Sequence, residues 1–311
     1  MIYTVSANPA LDLILTVPNI EFEVVLRAYE VRRGMGGKGF NVSRYLKALG
    51  VENVAVAFAG GYTGQALAAG LEAGGIHTEF VYLQGGETRT NVVIQEPNGR
   101  RHIKANQPGP TVSAADQDAF WARLDALVQP GDLWVLTGSL APGLPVDFYA
   151  KAGKALQAQG AAFVLDTSGG ALSAGLAARP ALVKPNAVEA EEFTGHKITT
   201  PEDAARAAGA FLEAGAQRVI LSLGKDGAVV AAGDERLHIQ PPNVTVQTAV
   251  GAGDAVVAGA VWAMGRGLSL REIGVSGVAA GTLTAMHDDL PPDPHSQLAQ
   301  IAAQVQVTPL T

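Results

Sequence analysis

Short apolar runs of β-type composition alternate along this chain with Ala- and Leu-rich segments of helical period. The pattern predicts strands near 53–58, 133–137, 162–166 and 218–222, and helices over 63–72, 114–128, 145–158 and 202–214. Alternation of this kind builds βαβ units, which give a mostly parallel sheet with helices on both faces. We therefore expect an α/β fold whose ligands bind at the carboxyl ends of the strands.

Two stretches interrupt this alternation, because β segments with polar alternation follow one another there without a helix between them. These segments span 12–17, 24–33, 90–95 and 101–105. They predict a small sheet, over about 12–34 and 79–106, inserted in a single domain of residues 1–311. A sheet inserted in a βαβ chain projects from the strand ends, where it can cover a ligand as a lid.

Composition and charge exclude several classes of protein. The net charge is −7 and no run of Lys and Arg offsets it, so neither nucleic acid nor an anionic membrane is an expected partner. The chain contains no cysteine, which excludes disulfides, thiolate zinc sites and cysteine nucleophiles. No apolar run approaches the ~20 residues that span a bilayer, and the N-terminus has no basic segment before an apolar stretch. We expect a cytoplasmic protein.

The glycine-rich stretch 251–255 precedes an Ala- and Val-rich helix predicted over 256–264. Glycines at the start of a helix let several backbone N–H groups converge on an anion, and the helix dipole adds to that attraction. Asp254 beside them can take a proton from an attacking hydroxyl. The simpler alternative is an ordinary glycine loop in which Asp254 caps the helix, and this stretch alone does not decide between them.

A second glycine-rich loop, Gly36-Gly37-Lys38-Gly39-Phe40-Asn41, opens a helix predicted over 42–49. It gathers glycine backbone, a cation and an amide side chain at one helix N-terminus, which suits a sugar or its phosphate. Gly34, Gly36 and Gly39 also match a dinucleotide-binding fingerprint, but no buried strand precedes them. Lys38 is followed by glycine, so the loop is not a Walker phosphate-binding loop.

A third motif, Lys184-Pro185-Asn186-Ala187-Val188-Glu189, follows an apolar run and begins a helix. Asn186 and Glu189 lie one turn apart on one face of that helix. The pair can hold hydrated Mg²⁺, which keeps several waters and needs one or two oxygen side chains beside nucleotide phosphates. Taken alone, the motif is better explained as a helix cap in which Glu189 completes a capping box.

In chain order the sequence carries Gly36-Gly37-Lys38-Gly39-x-Asn41, Lys184-Pro185-Asn186-x-x-Glu189, Ser222-Leu223-Gly224-Lys225-Asp226-Gly227-Ala228 and Gly251-Ala252-Gly253-Asp254. These motifs resemble those of the ribokinase-like (PfkB) carbohydrate kinases, and the resemblance spans almost the whole chain. Four motifs in the family's order are far more specific than any one of them. The resemblance implies a ribokinase-like three-layer α/β/α sandwich with a mostly parallel central sheet and a small inserted β-sheet lid.

Carried over position by position, the resemblance implies a role for each motif. Asp254 would be the catalytic base, and the transferring phosphoryl group would lie against the amides of Gly251, Ala252 and Gly253. ATP would lie against Ser222, Gly224, Gly227, Gly251 and Gly253. The nucleotide phosphates would be faced by Lys184, Asn186 and Glu189, the last two holding Mg²⁺ through water. The sugar would be held by Asp12, Gly37, Lys38 and Asn41.

Further stretches resemble the subgroup of this family that acts on hexose phosphates, which includes 1-phosphofructokinase and tagatose-6-phosphate kinase. These stretches are 8–12, 88–91, 104–106 and 138–143. They add Arg89, Lys104, Asn106 and Ser139 to the expected sugar-phosphate site. Arg89 and Lys104, with Lys38, supply charge-assisted hydrogen bonds to a phosphate dianion. Outside this pattern, Arg89 and Lys104 would be explained as part of a solvated strand face.

The resemblance implies ATP-dependent phosphorylation of a hexose phosphate, with conversion of fructose 1-phosphate to fructose 1,6-bisphosphate as the leading expectation. Tagatose-6-phosphate kinase and 6-phosphofructokinase are the nearer alternatives, and a catalytically silent sugar-phosphate-binding protein is the more distant one. Ala141 and Ala255 replace residues common in the subgroup and leave the choice of hexose phosphate open. Exposed strand edges invite pairing with another chain, so we also expect a homodimer through the lid.

Overall fold

The structure is a computed structural model that describes residues 1–97, 101–287, 290–291 and 293–310. Its strands, in chain order, are β1 Ile2–Ser6, β2 Ala10–Thr16, β3 Glu30–Gly36, β4 Asn53–Ala59, β5 His77–Tyr82, β6 Arg89–Gln95, β7 His102–Ala105, β8 Leu133–Thr137, β9 Ala162–Asp166, β10 Leu182–Val183, β11 Val219–Ser222, β12 Ala228–Ala232, β13 Glu235–Gln240 and β14 Gln306–Pro309. Residues 98–100 of the expected lid segment lie outside the described residues.

The helices surround these strands and alternate with them through most of the chain. They are α1 Lys38–Ala48, α2 Gly61–Ala73, α3 Ala114–Leu127, α4 Phe148–Ala158, α5 Gly169–Leu176, α6 Ala187–Thr194, α7 Pro201–Glu213, α8 Ala252–Met264, α9 Leu270–Met286 and α10 Pro294–Ala302. Capping boxes fix where several of them begin, with N-cap side chains from Ser113, Asn186, Thr200 and Ser269. Within the described part of the chain, no helix is both long and apolar enough to cross a membrane.

A large sheet forms the centre of the molecule. Among the described residues it has ten strands, in the order β14-β13-β12-β11-β10-β9-β8-β1-β4-β5. The strands from β11 to β5 in this order run parallel, whereas β12, β13 and β14 are added antiparallel to their neighbours. The carboxyl ends of the parallel strands therefore meet at one edge of the sheet.

Both faces of the large sheet are covered by helices, because its central strands are apolar on both sides. In β8, Trp134 and Leu136 pack into one buried cluster with α3, α4, α5 and α7, while Val135 packs into another with α1, α8 and α9. Successive side chains of a strand point to opposite faces, so a continuous apolar run indicates burial on both. The expected three-layer α/β/α sandwich is confirmed.

The small sheet contains four strands in the order β3-β2-β6-β7, and we call these four strands the lid. On one face, Leu11 and Met35 pack against the cluster that includes α2. The expected lid segment 79–106 began too early, because His77–Tyr82 pairs in parallel with β4 at the edge of the large sheet. An edge strand alternates polar and apolar residues in either sheet, so its pattern alone does not say which sheet it joins.

Three predicted starts differ from the structure by four residues or more. The predicted helices over 42–49 and 256–264 begin four residues earlier, at Lys38 and Ala252, so both glycine motifs extend into the first helical turn. The predicted strand 24–33 begins only at Glu30, and the segment before it is an exposed loop. Glycine lowers helix propensity, so a glycine-rich first turn looks like loop in the sequence.

Candidate functional site

Asp166 ends strand β9 at the carboxyl edge of the large sheet, and its side chain is fully buried. Two lysines from different parts of the chain form ion pairs with it. Lys38 Nζ, at the start of α1, lies 3.2 Å from Asp166 Oδ2, and Lys184 Nζ, just after β10, lies 3.2 Å from Asp166 Oδ1. Thr137 Oγ1, at the end of β8, donates a further hydrogen bond to Asp166 Oδ2 over 3.2 Å. The carboxylate thus joins three neighbouring parts of the site.

The charge of Asp166 is stabilised by these lysines. Burial by itself would raise the pKa of Asp166, but the positive charges of Lys184 and Lys38 hold that pKa below its ordinary value. Asp166 is not among the residues predicted from the sequence. Its signal was an acidic residue at the carboxyl end of the apolar strand Ala162–Asp166, the position at which an α/β sheet presents functional side chains.

Helix α8 brings its N-terminus to this cluster. Gly251 is the N-cap residue, with φ 78° and ψ −8°, a left-handed conformation that glycine adopts without strain. The start of α8 lies close to Lys184, since a Cβ on Gly253 would lie 3.7 Å from Lys184 Nζ. Close packing against α9 holds α8 in place, because a Cβ on Gly259 would meet Ser276 O at 2.4 Å.

Asp254 lies in the first turn of α8 and is 7% exposed. It is not the helix cap, because Gly251 holds that position and no side chain caps this helix. Asn41 Nδ2, on α1, donates a 2.6 Å hydrogen bond to Asp254 Oδ2. Burial, and then the negative charge of Asp166, raise the pKa of Asp254 to about 6, against the opposing effects of Asn41, Lys38 and Lys184.

The predicted anion hole consists of backbone amides at the start of α8. The first amides of a helix have no intrahelical acceptor, and the dipole places positive charge there. The amide of Ala252 is partly used, because it donates a long 3.4 Å hydrogen bond to Ala249 O. The amides of Gly253 and Asp254 lie in the same first turn, beside Lys184, so this helix start can receive an anion.

Asn186 and Glu189 form the capping box that explains the motif structurally. Asn186 Oδ1 accepts from the Glu189 amide over 2.9 Å, and Glu189 Oε2 accepts from the Asn186 amide over 2.9 Å. The cap uses one oxygen of the Glu189 carboxylate and leaves Oε1 for a water ligand of Mg²⁺, so these residues fit the ion as water-mediated ligands. Among the described residues, no group of three or more acidic or histidine side chains could hold a metal directly.

Ser222 lies directly beside this cap. Its backbone bridges Asn186, and its amide donates to Pro185 O over 2.9 Å. A short 3-10 turn, Gly224–Asp226, follows, and Gly227 then has φ 86°. A side chain on Gly227 would place its Cβ 2.0 Å from Ile239 O, so glycine is required there by the approach of β13. The exposed Gly224 forms the outer part of the turn.

Asp12 lies on the lid face opposite Leu11 and Met35. It accepts a 2.9 Å hydrogen bond from Asn91 Nδ2 of the neighbouring strand. Gly36 makes room for it, because a Cβ on Gly36 would lie 2.4 Å from Asp12 Oδ2. The glycine loop that begins α1 therefore starts in direct contact with the lid.

Two buried polar atoms near these residues have no hydrogen-bond partner among the described residues: Ser6 Oγ and Asn91 Oδ1. Ser6 ends β1, and its hydroxyl faces the glycine loop, where a Cβ on Gly39 would lie 2.6 Å from Ser6 Oγ. Buried polar groups are usually paired, so these atoms are available to a ligand with hydroxyl groups. Neither residue was singled out as a site residue in the sequence analysis.

Arg89 is half-buried and bonds to backbone rather than lying free on the lid. It donates to Asn8 O over 2.7 Å, to Gln107 O over 3.1 Å and to Pro9 O over 3.4 Å. These carbonyls belong to the segments that join the lid to the large sheet, so Arg89 fixes the lid at its base. A guanidinium has five N–H donors, and donors therefore remain for a phosphate.

Lys104 lies on the exposed strand β7, opposite Val93. The register places it on the lid face of Asp12 and Asn91, because directly paired residues point to the same side and residues two apart share a face. Asn106 and Ser139 are also exposed. The structure thus brings Lys38, Asn41, Lys184, Gly253 and Asp254 into one cluster. It places Asp12, Asn91 and Lys104 together on one face of the lid.

Comparison with known proteins gives consistent matches over the whole chain. A family profile described as "pfkB family carbohydrate kinase" matches residues 5–289. The 1-phosphofructokinase of Bacillus subtilis (strain 168) is 36% identical over 310 residues, covering 100% of both chains. The D-tagatose-1-phosphate kinase of Bacillus licheniformis is 33% identical over 311 residues, again covering 100% of both.

Solved structures match equally well. Two structures of phosphofructokinase-2 from Escherichia coli, one in complex with fructose-6-phosphate and one described as the tetrameric inhibited form, each superpose with a TM-score of 0.90. Each is 31% identical in sequence and covers 97% of this chain and 98% of the other. The likeness therefore extends through both sheets.

The raised pKa of Asp254 can be measured directly. We expect its carboxyl to titrate near pH 6, whereas Asp203, whose hydrogen bonds from Thr199 hold its pKa at about 2, titrates far lower in the same spectra. Carbon-detected NMR of protein labelled at aspartate carboxyls gives both midpoints, and Asp254→Asn should remove the signal near pH 6. An aspartate spectrum with no midpoint above about pH 5 would contradict the proposed environment.

Proposed function

The chain belongs to the PfkB family of carbohydrate kinases, and from this premise we propose that it transfers the γ-phosphoryl group of ATP to fructose 1-phosphate, forming fructose 1,6-bisphosphate. Family membership confirms the resemblance seen in the four sequence motifs. It also gives the enzyme class, a phosphotransferase with an alcohol group as acceptor, and implies that ATP is the donor. The observation that carries the proposal is the buried Asp254 at the start of α8, beside Lys184 and Asn41.

Asp254 is proposed as the general base. Because Asp254 Oδ2 accepts from Asn41, Oδ1 is the oxygen that takes the proton of the attacking 6-hydroxyl. The hydroxyl oxygen then forms the new bond to the γ-phosphorus, and the bond from that phosphorus to the β–γ bridging oxygen breaks, releasing ADP. A carboxyl with a pKa of about 6 is a better base than an ordinary aspartate and is still ionised at neutral pH.

The remaining groups stabilise charge and align the reactants. Phosphoryl transfer has a loose transition state, so catalysis depends mainly on positioning and on charge around the transferring group. The amides of the first turn of α8 and the ammonium of Lys184 are proposed to contact its oxygens, with Asp166 fixing Lys184 and Lys38. Mg²⁺, when bound through water by Asn186 and Glu189, would neutralise charge on the nucleotide phosphates.

The lid face that carries Asp12, Asn91 and Lys104 is proposed to hold the sugar phosphate. Asp12 suits sugar hydroxyls, and Lys104 supplies a cation for the 1-phosphate. The relatives named for ketohexose 1-phosphates support this substrate class, and they make D-tagatose 1-phosphate the second candidate. The match to the Escherichia coli phosphofructokinase-2 solved with fructose-6-phosphate keeps a 6-phosphate acceptor as a third. ATP and sugar phosphates are cytoplasmic metabolites, and we propose that the enzyme works there.

A substrate panel tests the proposed acceptor. ADP release is measured with ATP and Mg²⁺ against fructose 1-phosphate, tagatose 1-phosphate, tagatose 6-phosphate, fructose 6-phosphate and free ribose. We expect the highest kcat/KM with fructose 1-phosphate. A higher value with any other sugar would overturn the substrate assignment, and no turnover with any of them would favour a silent sugar-phosphate-binding protein.

The role of Lys104 gives a second prediction. Lys104→Met removes a charge-assisted hydrogen bond to the sugar phosphate, so the KM for fructose 1-phosphate should rise about tenfold or more, while the KM for ATP changes less than about twofold. Arg101→Met is the matched control, because Arg101 lies in the same hairpin but pairs with Glu96. Equal effects of the two substitutions would show that Lys104 does not contact the phosphate.

The lid has a second face, the one opposite Asp12 that carries Leu11 and Met35. We also propose that this face pairs with another copy of this chain. Beyond Leu11 and Met35 this face carries six apolar residues and one cation, Arg33, which is paired with Leu13. The apolar residues are Leu13, Leu15, Val31, Val92, Ile94 and Ile103. Val31 is 52% exposed and Ile103 is 37% exposed. The exposed loop between β2 and β3 adds Phe22, Val25 and Tyr29. An apolar patch of this kind on a sheet with free edges favours a protein interface.

Light scattering after size-exclusion chromatography tests this dimer. We expect twice the monomer mass at micromolar concentration, and a monomer for Ile103→Asp, because a charge in the apolar face opposes pairing. Val146→Asp is the control, since Val146 is 58% exposed outside the lid. A monomeric wild-type protein, or a dimer that persists in Ile103→Asp, would rule out this interface.

A further inference from the structure

Arg44 lies one turn after Asn41 on α1 and donates from Nη2 to Asn41 Oδ1. Asn41 in turn donates from Nδ2 to Asp254 Oδ2 over 2.6 Å. Two hydrogen bonds therefore connect a guanidinium on the outer side of α1 to the carboxylate in the first turn of α8. Asn41 and Asp254 both take part in the proposed phosphoryl transfer, whereas Arg44 has no role in it so far.

An asparagine side chain can present either of its two ends to a neighbour. Its oxygen only accepts hydrogen bonds, its nitrogen only donates them, and rotation of the amide exchanges the two. An arginine cannot accept a hydrogen bond, so it fixes the oxygen of the amide toward itself. The nitrogen of Asn41 must then point to Asp254, the direction that stabilises an ionised carboxylate.

We propose that Arg44 is a positioning residue for the catalytic base: it fixes the orientation of the Asn41 amide, so that Asn41 always donates a hydrogen bond to Asp254. This inference rests on the proposed role of Asp254. Without Arg44, the amide can turn over and present its oxygen to Asp254. That oxygen repels an ionised carboxylate and accepts a hydrogen bond from a protonated one, so loss of Arg44 favours the protonated, inactive form.

Other charged groups around Asp254 do not replace this effect. Lys38 and Lys184 act on it through space and stabilise its ionised form, whereas Asp166 disfavours that form. The negative charge of Glu189 acts on Lys38 and helps to raise the pKa of that lysine. In the described part of the chain, none of these four residues forms a hydrogen bond with the Asn41 amide. Among the described hydrogen bonds, the one from Arg44 is therefore the one that holds the oxygen end of the Asn41 amide.

Arg44 lines a cavity that lies outside the proposed substrate sites. Together with Met35, Lys47, Gly70 and Leu71 it lines a cavity of about 260 Å³ between α1, α2 and the lid. Lys47 lines the same cavity, one turn further along α1, and pairs with Glu52 over 2.7 Å. Lys47→Met is thus a matched control that removes a cation from the same helix and the same cavity but leaves Asn41 untouched.

The test is the pH dependence of kcat/KM for fructose 1-phosphate in wild type, Arg44→Met, Arg44→Lys and Lys47→Met. Wild type should lose activity as the pH falls through about 6. In Arg44→Met this loss should begin about one pH unit higher, so that activity at pH 6 falls by roughly fivefold relative to wild type. At pH 8 the loss should stay below about threefold, because Asp254 is then ionised in both proteins. Arg44→Lys keeps a donor and should move back toward wild type.

A purely structural role would instead lower activity by the same factor at every pH, and that result would overturn the inference. So would an Arg44→Met profile that coincides with Lys47→Met. If Arg44→Met does not fold, as judged by its thermal unfolding, Arg44→Leu, which also lacks a hydrogen-bond donor, is measured in its place with the same expectation. A wild-type profile without any loss of activity near pH 6 would contradict the base assignment itself, so the two failures are distinguishable.

Methylguanidinium provides an independent readout, because the cavity beside Arg44 can admit it once the side chain is cut back. Millimolar methylguanidinium should restore activity to Arg44→Ala at pH 6 by several-fold and should leave Lys47→Ala unchanged. Methylammonium, which lacks the planar guanidinium group, should restore less activity. Equal responses of the two variants would count against a specific bond to Asn41.

Discussion

Asp166 places one negative charge where no water reaches it, and the site depends on how that charge is neutralised. Lys38 and Lys184 each lie 3.2 Å from one of its oxygens, and they come from parts of the chain far apart in sequence. Lys184 is buried as well, so removing Asp166 would leave an uncompensated buried charge, which costs about 3–5 kcal/mol. The cluster therefore holds the start of α1, the end of β9 and the segment after β10 in one arrangement.

The same cluster sets the chemistry of its neighbour. Asp254 is buried beside Asp166, which disfavours its ionised form, and beside two lysines and Asn41, which favour it. The balance leaves a carboxyl with a pKa of about 6 at the positive end of α8. A carboxyl that is ionised at neutral pH and a helix start that can receive an anion are thus consequences of one packing arrangement, and they lie together because parallel strands end at a common edge.

Much of this architecture follows from local sequence patterns. Strands β8 and β9 were predicted with their observed bounds, since a short apolar run between turn residues is typical of a buried strand. Asp166 was missed because its meaning depends on Lys38, 128 residues away, which no local pattern reveals. Residues 79–82 were placed in the wrong sheet, because the pattern of an edge strand does not say which sheet it joins. The contacts of Arg89 with backbone carbonyls likewise form only once the segments flanking the lid have folded.

The most direct test of the account is the isosteric substitution Asp254→Asn, measured for turnover and for ATP binding. If Asp254 is the base at the point where both substrates meet, kcat should fall by roughly 10²–10⁴-fold, while the dissociation constant of ATP, measured by calorimetry, changes less than about threefold. Asp147→Asn, at an exposed pair with Lys151, should leave both unchanged. A kcat close to wild type in Asp254→Asn would contradict the central claim.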